Sequence, residues 1–136
     1  MTHSTTAMTS HSEMLAAEQR RIFSHLNYDR IMRHTFDNMI ELGTKKGGEY
    51  AGDDDRLANF RRNGAALGLP MASVWAVYAA KHWDAIMQYI KDNNTGKTRE
   101  RMEPIQGRID DLLTYLILFK CIVMEMESQA QRNEAA

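Results

Sequence analysis

Residues 105–127 read IQGRIDDLLTYLILFKCIVMEME. Ile105, Ile109, Leu112, Leu113, Leu116 and Val123 recur there at steps of three, four and seven, the spacing that lines one side of an α-helix with a 3.6-residue repeat. A second face of the same helix carries Arg108, Asp111 and Tyr115, continued by Leu118 and Ile122. The C-terminal half is apolar all round, as expected of a central, buried helix. The N-terminal half therefore directs a cation, a carboxylate and a phenol toward a region that the other half keeps dry. Two readings follow from this face. One is an internal Arg108–Asp111 ion pair with a capped tyrosine; the other is a polar pocket at one end of a helical bundle, where side chains on facing helices commonly build ligand sites.

Pro104 suits the first turn of this helix, since it has no N–H to leave unsatisfied. Upstream, a polar loop is expected over residues 91–102. Before it, Met71–Ile90 forms a helix with Trp75, Tyr78, His82, Ile86 and Tyr89 on one side, Val74 and Ala85 close by, and Lys81, Asp84 and Gln88 as a narrow polar strip. Lys81 suits a phosphate as a mobile point charge. His82 lies within the aromatic stripe, either as a core histidine with its hydrogen bonds met or as a ligand contact. A short helix over residues 55–67 turns Leu57, Phe60 and Ala65 inward, with Gly68 and Pro70 separating it from the next.

The segment before it, TKKGGEYAGDDD (residues 44–55), is rich in glycine and charge and is expected to be irregular, with Asp53 or Asp54 as a helix cap. It is either a solvated charged loop or a ligand-approaching one, because Gly47, Gly48 and Gly52 let the backbone turn tightly. It is not a P-loop, for G-x-x-x-x-G-K-[ST] does not occur. Three aspartates at one helix start repel a phosphate and favour capping, or a divalent ion bridging to a phosphate. Further upstream, Ile31, Met32, Thr35, Phe36, Met39 and Leu42 share one face of a helix that starts after Asn27 and ends at Gly43. Ser10 and Glu13 form a capping box for a first helix running to about residue 26. Residues 1–9 read as a mobile tail and 128–136 as a polar C-terminal tail, leaving 10–127 as a single helical domain.

The chain as a whole is consistent with an all-α, compact bundle of four to five helices, with no alternating segment that reads as a strand. Its 136 residues make one ordinary domain, long enough to bury roughly 65–70% of the unfolded surface without staples. A net charge of −1 argues against bulk nucleic-acid binding. The one cysteine, Cys121, excludes an internal disulfide and a Cys-cluster metal site, and suits a reducing cytoplasm. No apolar run is long enough to span a membrane, and the Ser/Thr-rich start lacks the basic and apolar regions of a signal peptide. The abundance of Met, Tyr and Trp on the helices points to a homo-oligomer. H-E-x-x-H and G-x-S-x-G are absent, so neither zinc-protease nor serine-hydrolase chemistry has support.

Three strings, KKGGEYAGDDDRLANFRRNGAALG, VYAAKHWDAIMQYIKD and EPIQGRIDDLLTYLILFKCIVME, resemble a family of small helical proteins common in bacteriophage genomes, the nucleotide-modification-associated domains. The resemblance covers residues 42–127 and implies a phage origin, hence a host cytoplasm, and a link with nucleotides. More distantly, Asp110, Asp111 and the following Tyr-Leu-Ile-Leu are similar to the later half of the Mg²⁺ site of MazG-type all-α nucleoside triphosphate pyrophosphatases. The earlier carboxylate pair of that family has no counterpart, because Asp37 and Glu41 fall opposite the core stripe of their helix. Binding without turnover is therefore expected, with sequestration of a cyclic nucleotide immune signal of the host as the sharpest form. The residues assigned to the ligand are Lys45, Tyr50, Arg56, Asn59, Phe60, Arg61, Lys81, His82, Arg108, Asp111 and Tyr115, with no resident metal or cofactor and no catalytic residue. Two alternatives are a Mg²⁺-dependent nucleotide pyrophosphohydrolase or modified-nucleotide enzyme, which needs Glu49, Asp84, Glu103 and Asp111 gathered at metal distance, and a helical interaction module, which leaves the cations scattered.

Overall fold

A computed structural model describes residues 10–23, 27–52 and 54–136. Five helices account for them: α1 (His11–Phe23), α2 (Tyr28–Ala51), α3 (Ala58–Leu67), α4 (Met71–Thr95) and α5 (Ile105–Glu134). Among the described residues there is no strand, as the 3.6-residue repeat requires. The chain divides into two compact units, Met1–Asn38 and Met39–Ala136, the division falling inside α2. The expected tail, residues 1–9, lies outside the described residues, as does the expected end of α1 near residue 26.

In the first unit the capping box forms as expected. The Ser10 N–H donates to Glu13 Oε2 at 2.9 Å, and the Glu13 N–H donates to Ser10 Oγ at 3.2 Å. Asn27 caps α2 by accepting the Arg30 N–H on Oδ1 at 3.1 Å.

The second unit carries the core. Leu57, Phe60, Val74 and Ile122 are buried together, with Trp75, Tyr78, Tyr115, Leu118 and Phe119 packed around them. Trp75 and Phe119 stack at 4.5 Å, and the indole N–H of Trp75 donates to the Tyr115 carbonyl at 2.6 Å, which ties α4 to α5. α3 packs on α4 through Gly64, where a side chain would have no room: an added Cβ would stand 2.7 Å from the Leu69 carbonyl oxygen. Gly68, at φ 65°, then turns the chain into α4.

Several boundaries differ from expectation, each for a tertiary or local reason. α2 does not stop at Gly43 but continues to Ala51, through the whole glycine-rich stretch. The Arg56 guanidinium lies across this stretch and donates to the carbonyls of Gly43 and Thr44. It occupies the space a Cβ on Gly47 would fill, so the glycine that weakens the helix locally is also what lets Arg56 bind it. Of the expected caps for the next helix, Asp53 lies outside the described residues; among those residues no side chain caps α3, and Asp55 Oδ1 instead accepts the Leu57 N–H at 3.0 Å in the turn just before it. Ala65 is exposed, and the inward positions of α3 are Phe60 and Gly64. α4 runs on to Thr95, closed by Gly96 at φ 68°, which shortens the expected 91–102 loop. α5 extends to Glu134 and absorbs most of the expected polar tail, with Gln129 bonding Asn133 and Arg132 bonding Gln129 at helical spacing.

The packed face of α5 is also the one thought polar. Tyr115, Leu118 and Ile122 meet the core, whereas Ile109 and Leu116 of the expected core stripe are 42% and 49% exposed.

Candidate functional site

In the second unit, α2, α3, α4, the 96–104 connection and α5 line a cleft of about 440 Å³. Helical spacing delivers its walls. Lys46 and Tyr50 are four apart on α2; Asn59, Arg62 and Asn63 share one face of α3; Tyr78, Lys81 and His82 do so on α4; Arg108, Asp111 and Tyr115 do so on α5. Glu103 enters from the connection.

The charges are arranged around two carboxylates. Asp111 faces Lys46 Nζ at 3.4 Å through Oδ1 and His82 Nδ1 at 3.8 Å through Oδ2. Arg108 Nε pairs with Glu103 Oε2 at 3.2 Å. The Arg108–Asp111 pair read from the sequence is thus replaced by two others, because α2 and the connection bring closer partners to each. Among the described residues no salt bridge ties down Lys81, and with Arg62 it leaves four cations against two carboxylates lining the cleft.

The cleft is floored by aromatic rings. Phe60 stands 5.9 Å from Tyr78 and 6.3 Å from Tyr115, edge to face with the latter, and Tyr115 lies 5.2 Å from His82. Asn63 Nδ2 donates to the Tyr78 hydroxyl at 2.8 Å. Burial, reinforced by the Asp111 carboxylate, raises the Tyr115 phenol above its usual range, so it stays a proton donor at neutral pH. His82 is 4% exposed, and its Nδ1 has no hydrogen-bond partner among the described residues. Burial pushes its pKa below the ordinary value of 6.5; Lys81 and Arg108 act in the same direction, while Asp111 and Glu103 oppose it without prevailing.

A histidine held neutral in the fold binds a proton more readily in the unfolded chain, so its contribution is intact above pH 6.5 and declines as pH falls below that. Thermal midpoints of the wild type and His82→Gln, taken from pH 7 to pH 5, should diverge, the wild type losing more on acidification. Parallel profiles would show that His82 is not kept neutral by the fold.

Of the residues assigned from the sequence, Tyr50, Asn59, Lys81, His82, Arg108, Asp111 and Tyr115 line the cleft. Four do not. Phe60 is buried beneath it, 1% exposed, because it anchors α3 in the core. Arg56 is spent on the α2 carbonyls, and Arg61 bridges Asp55 at 2.9 Å and Glu125 at 2.7 Å on the other side of α3. Lys45 points to solvent beside Glu41, since the continuous helix turns Lys46 inward instead. Lys46, Asn63 and Tyr78 also line it and were not among the residues assigned from the sequence; Arg62, which the sequence offers as one possible partner of the phosphates, lines it too, as does Glu103, which the sequence reading gathered with Asp111 only in the Mg²⁺-dependent alternative. The i, i+3, i+4 spacing of Asn59, Arg62 and Asn63 was the available signal.

Of the four carboxylates a hydrolytic Mg²⁺ site would need, Glu103 and Asp111 line the cleft and Glu49 and Asp84 do not. Among the described residues no group of three or more His, Cys, Asp or Glu side chains is placed to hold a metal ion. No helix among them is long and apolar enough to cross a membrane. Comparison with protein-family models, curated proteins and solved structures gives no match for this chain.

Proposed function

We propose that the second unit binds a nucleotide in this cleft and holds it without turnover. The observation that carries this reading is the convergence of Lys46, Arg62, Lys81 and Arg108 with Tyr50, Tyr78 and Tyr115 on one concave surface. Phosphates require cations beyond those already neutralised, and the surplus in the cleft meets that need. Tyrosine rings offer stacking faces for a base, worth about 1–3 kcal/mol each in single-stranded nucleic-acid sites. The Asn59 side-chain amide is a group available to a base edge or a sugar hydroxyl. The cleft lies in the usual 300–1,000 Å³ range of small-molecule sites, at about 440 Å³.

The resemblance to phage nucleotide-associated domains agrees with this chemistry, and we attach to it the role of sequestering a host cyclic nucleotide signal. We assign the homo-oligomer contact to α4, where Ala76, Ala80, Trp83, Met87 and Ile90 form an exposed apolar line at steps of four and three.

Isothermal titration with linear and cyclic nucleotides tests the reading. Affinity should survive EDTA and fall with added salt. Lys81→Ala and Arg108→Ala should each weaken binding by roughly 1.5–3 kcal/mol, the value of a hydrogen bond to a charged group. The ligand should be recovered intact after hours with Mg²⁺. Release of a nucleoside monophosphate and pyrophosphate, lost in Asp111→Asn, would overturn binding in favour of hydrolysis.

A further inference from the structure

A smaller cavity of about 200 Å³ adjoins the cleft, and Glu103 and Arg108 line both. Their ion pair, at 3.2 Å, is therefore a partition between two compartments rather than a wall of one. The partition is the kind that a ligand can open. The Glu103 side chain is 51% exposed against 28% for Arg108, so the carboxylate is well screened and can move into water, leaving the guanidinium to another anion.

The smaller compartment differs in chemistry from the cleft. Its cations, Arg99 and Arg101, are already committed to Asp92, with Arg99 Nε at 2.7 Å and an Arg101 terminal nitrogen at 3.0 Å from the same carboxylate oxygen. Asp92 is buried, and Gln88 also donates to it, at 2.9 Å. Glu100 lines the same space, so with Asp92 two carboxylates stand against these two guanidiniums, and they do not call for a second phosphate. Ala85 and Ile105 supply apolar wall. At about 200 Å³ the space is below the range of a complete small-molecule site, but a flat heteroaromatic ring fits it and can stack on a guanidinium.

We infer that the ligand is a dinucleotide, with one nucleoside in the cleft, a phosphodiester on Arg108 in place of Glu103, and the second base in the smaller cavity. This rests on the nucleotide reading above and adds the substrate class. Linear and cyclic dinucleotides share this chemistry, so both belong in the test.

The experiment is calorimetric titration of the full chain with AMP and GMP, with the linear dinucleotides pApA and pGpG, and with the cyclic dinucleotides of the same bases. A dinucleotide should bind at least about tenfold more tightly than its mononucleotide. Ala85→Trp, which fills the smaller cavity, should erase that advantage while leaving mononucleotide affinity within about twofold. Glu103→Gln, a change at an exposed side chain, should strengthen dinucleotide binding by roughly threefold or more by freeing Arg108, whether or not the tryptophan variant folds. Equal affinity for mononucleotides and dinucleotides in the wild type would overturn the inference and leave the nucleotide reading standing. Persistence of the dinucleotide advantage in a folded Ala85→Trp protein would also overturn it. Absence of binding by every nucleotide would sink the nucleotide reading itself.

Discussion

Phe60→Ala is expected to destabilise the second unit by about 3–5 kcal/mol, the cost of truncating a large aromatic residue in a closed core. The side chain is 1% exposed and touches the rings of Tyr78 and Tyr115, which also form the floor of the cleft. Truncation removes the apolar area and leaves a void that two packed helices cannot readily close. Urea unfolding followed by circular dichroism measures the loss. Phe60→Leu, which keeps most of the volume, should recover most of it. A loss under about 1 kcal/mol, combined with failed ligand binding, would return Phe60 to the cleft wall, where the sequence reading put it.

Asp92→Ala is expected to lower the thermal midpoint by roughly 10 °C, because it leaves two arginines unpaired around a buried position. Asp92 is 2% exposed and accepts from Arg99, Arg101 and Gln88. Its main-chain carbonyl also accepts the Lys97 N–H at 2.9 Å, so this residue fastens the connection that carries Glu103 to the cleft. The hydrogen bonds from Arg99 and Gln88, and the positive charge of both arginines, hold its carboxyl at a pKa of about 2, below the ordinary 3.8. The folded state therefore binds fewer protons than the unfolded chain between those values. The stability Asp92 lends is complete above about pH 4 and disappears as pH falls through about 2. Melting curves at pH 7, 4, 3 and 2 should show the wild type losing more between pH 4 and pH 2 than Asp92→Asn does. Equal losses would mean that the carboxylate is not held by the arginines in solution.

Helix content was legible because each apolar segment repeats near 3.6 residues, and capping residues act locally. Ser10–Glu13 and Asn27 form the bonds their spacing predicts. The Arg108–Asp111–Tyr115 face was legible for the same reason: side chains three and four apart on a helix must share a side. It was the choice of partner that could not be read. Arg108 pairs with Glu103 and Asp111 with Lys46, and both partners come from elements whose approach depends on packing.

The glycine-rich stretch after Thr44 shows where local chemistry stops deciding. Glycine propensity argues against helix there, and an arginine twelve or thirteen positions along the chain reverses the outcome by bonding the helix carbonyls in the space the glycines leave open. That reversal turns Lys46 and Tyr50 into the cleft and Lys45 out of it. The amino-acid sequence by itself determined that the chain is helical, the Ser10–Glu13 and Asn27 caps, and that Arg108, Asp111 and Tyr115 share one face of α5, because those depend on neighbours within a turn or two. Tertiary structure alone decided which cations face the cleft, which carboxylate each one meets, and that Glu103 and Arg108 divide two cavities. Those outcomes depend on how the elements and the connection before α5 pack, through contacts such as Lys46–Asp111 between helices far apart in the chain, to which periodicity is blind.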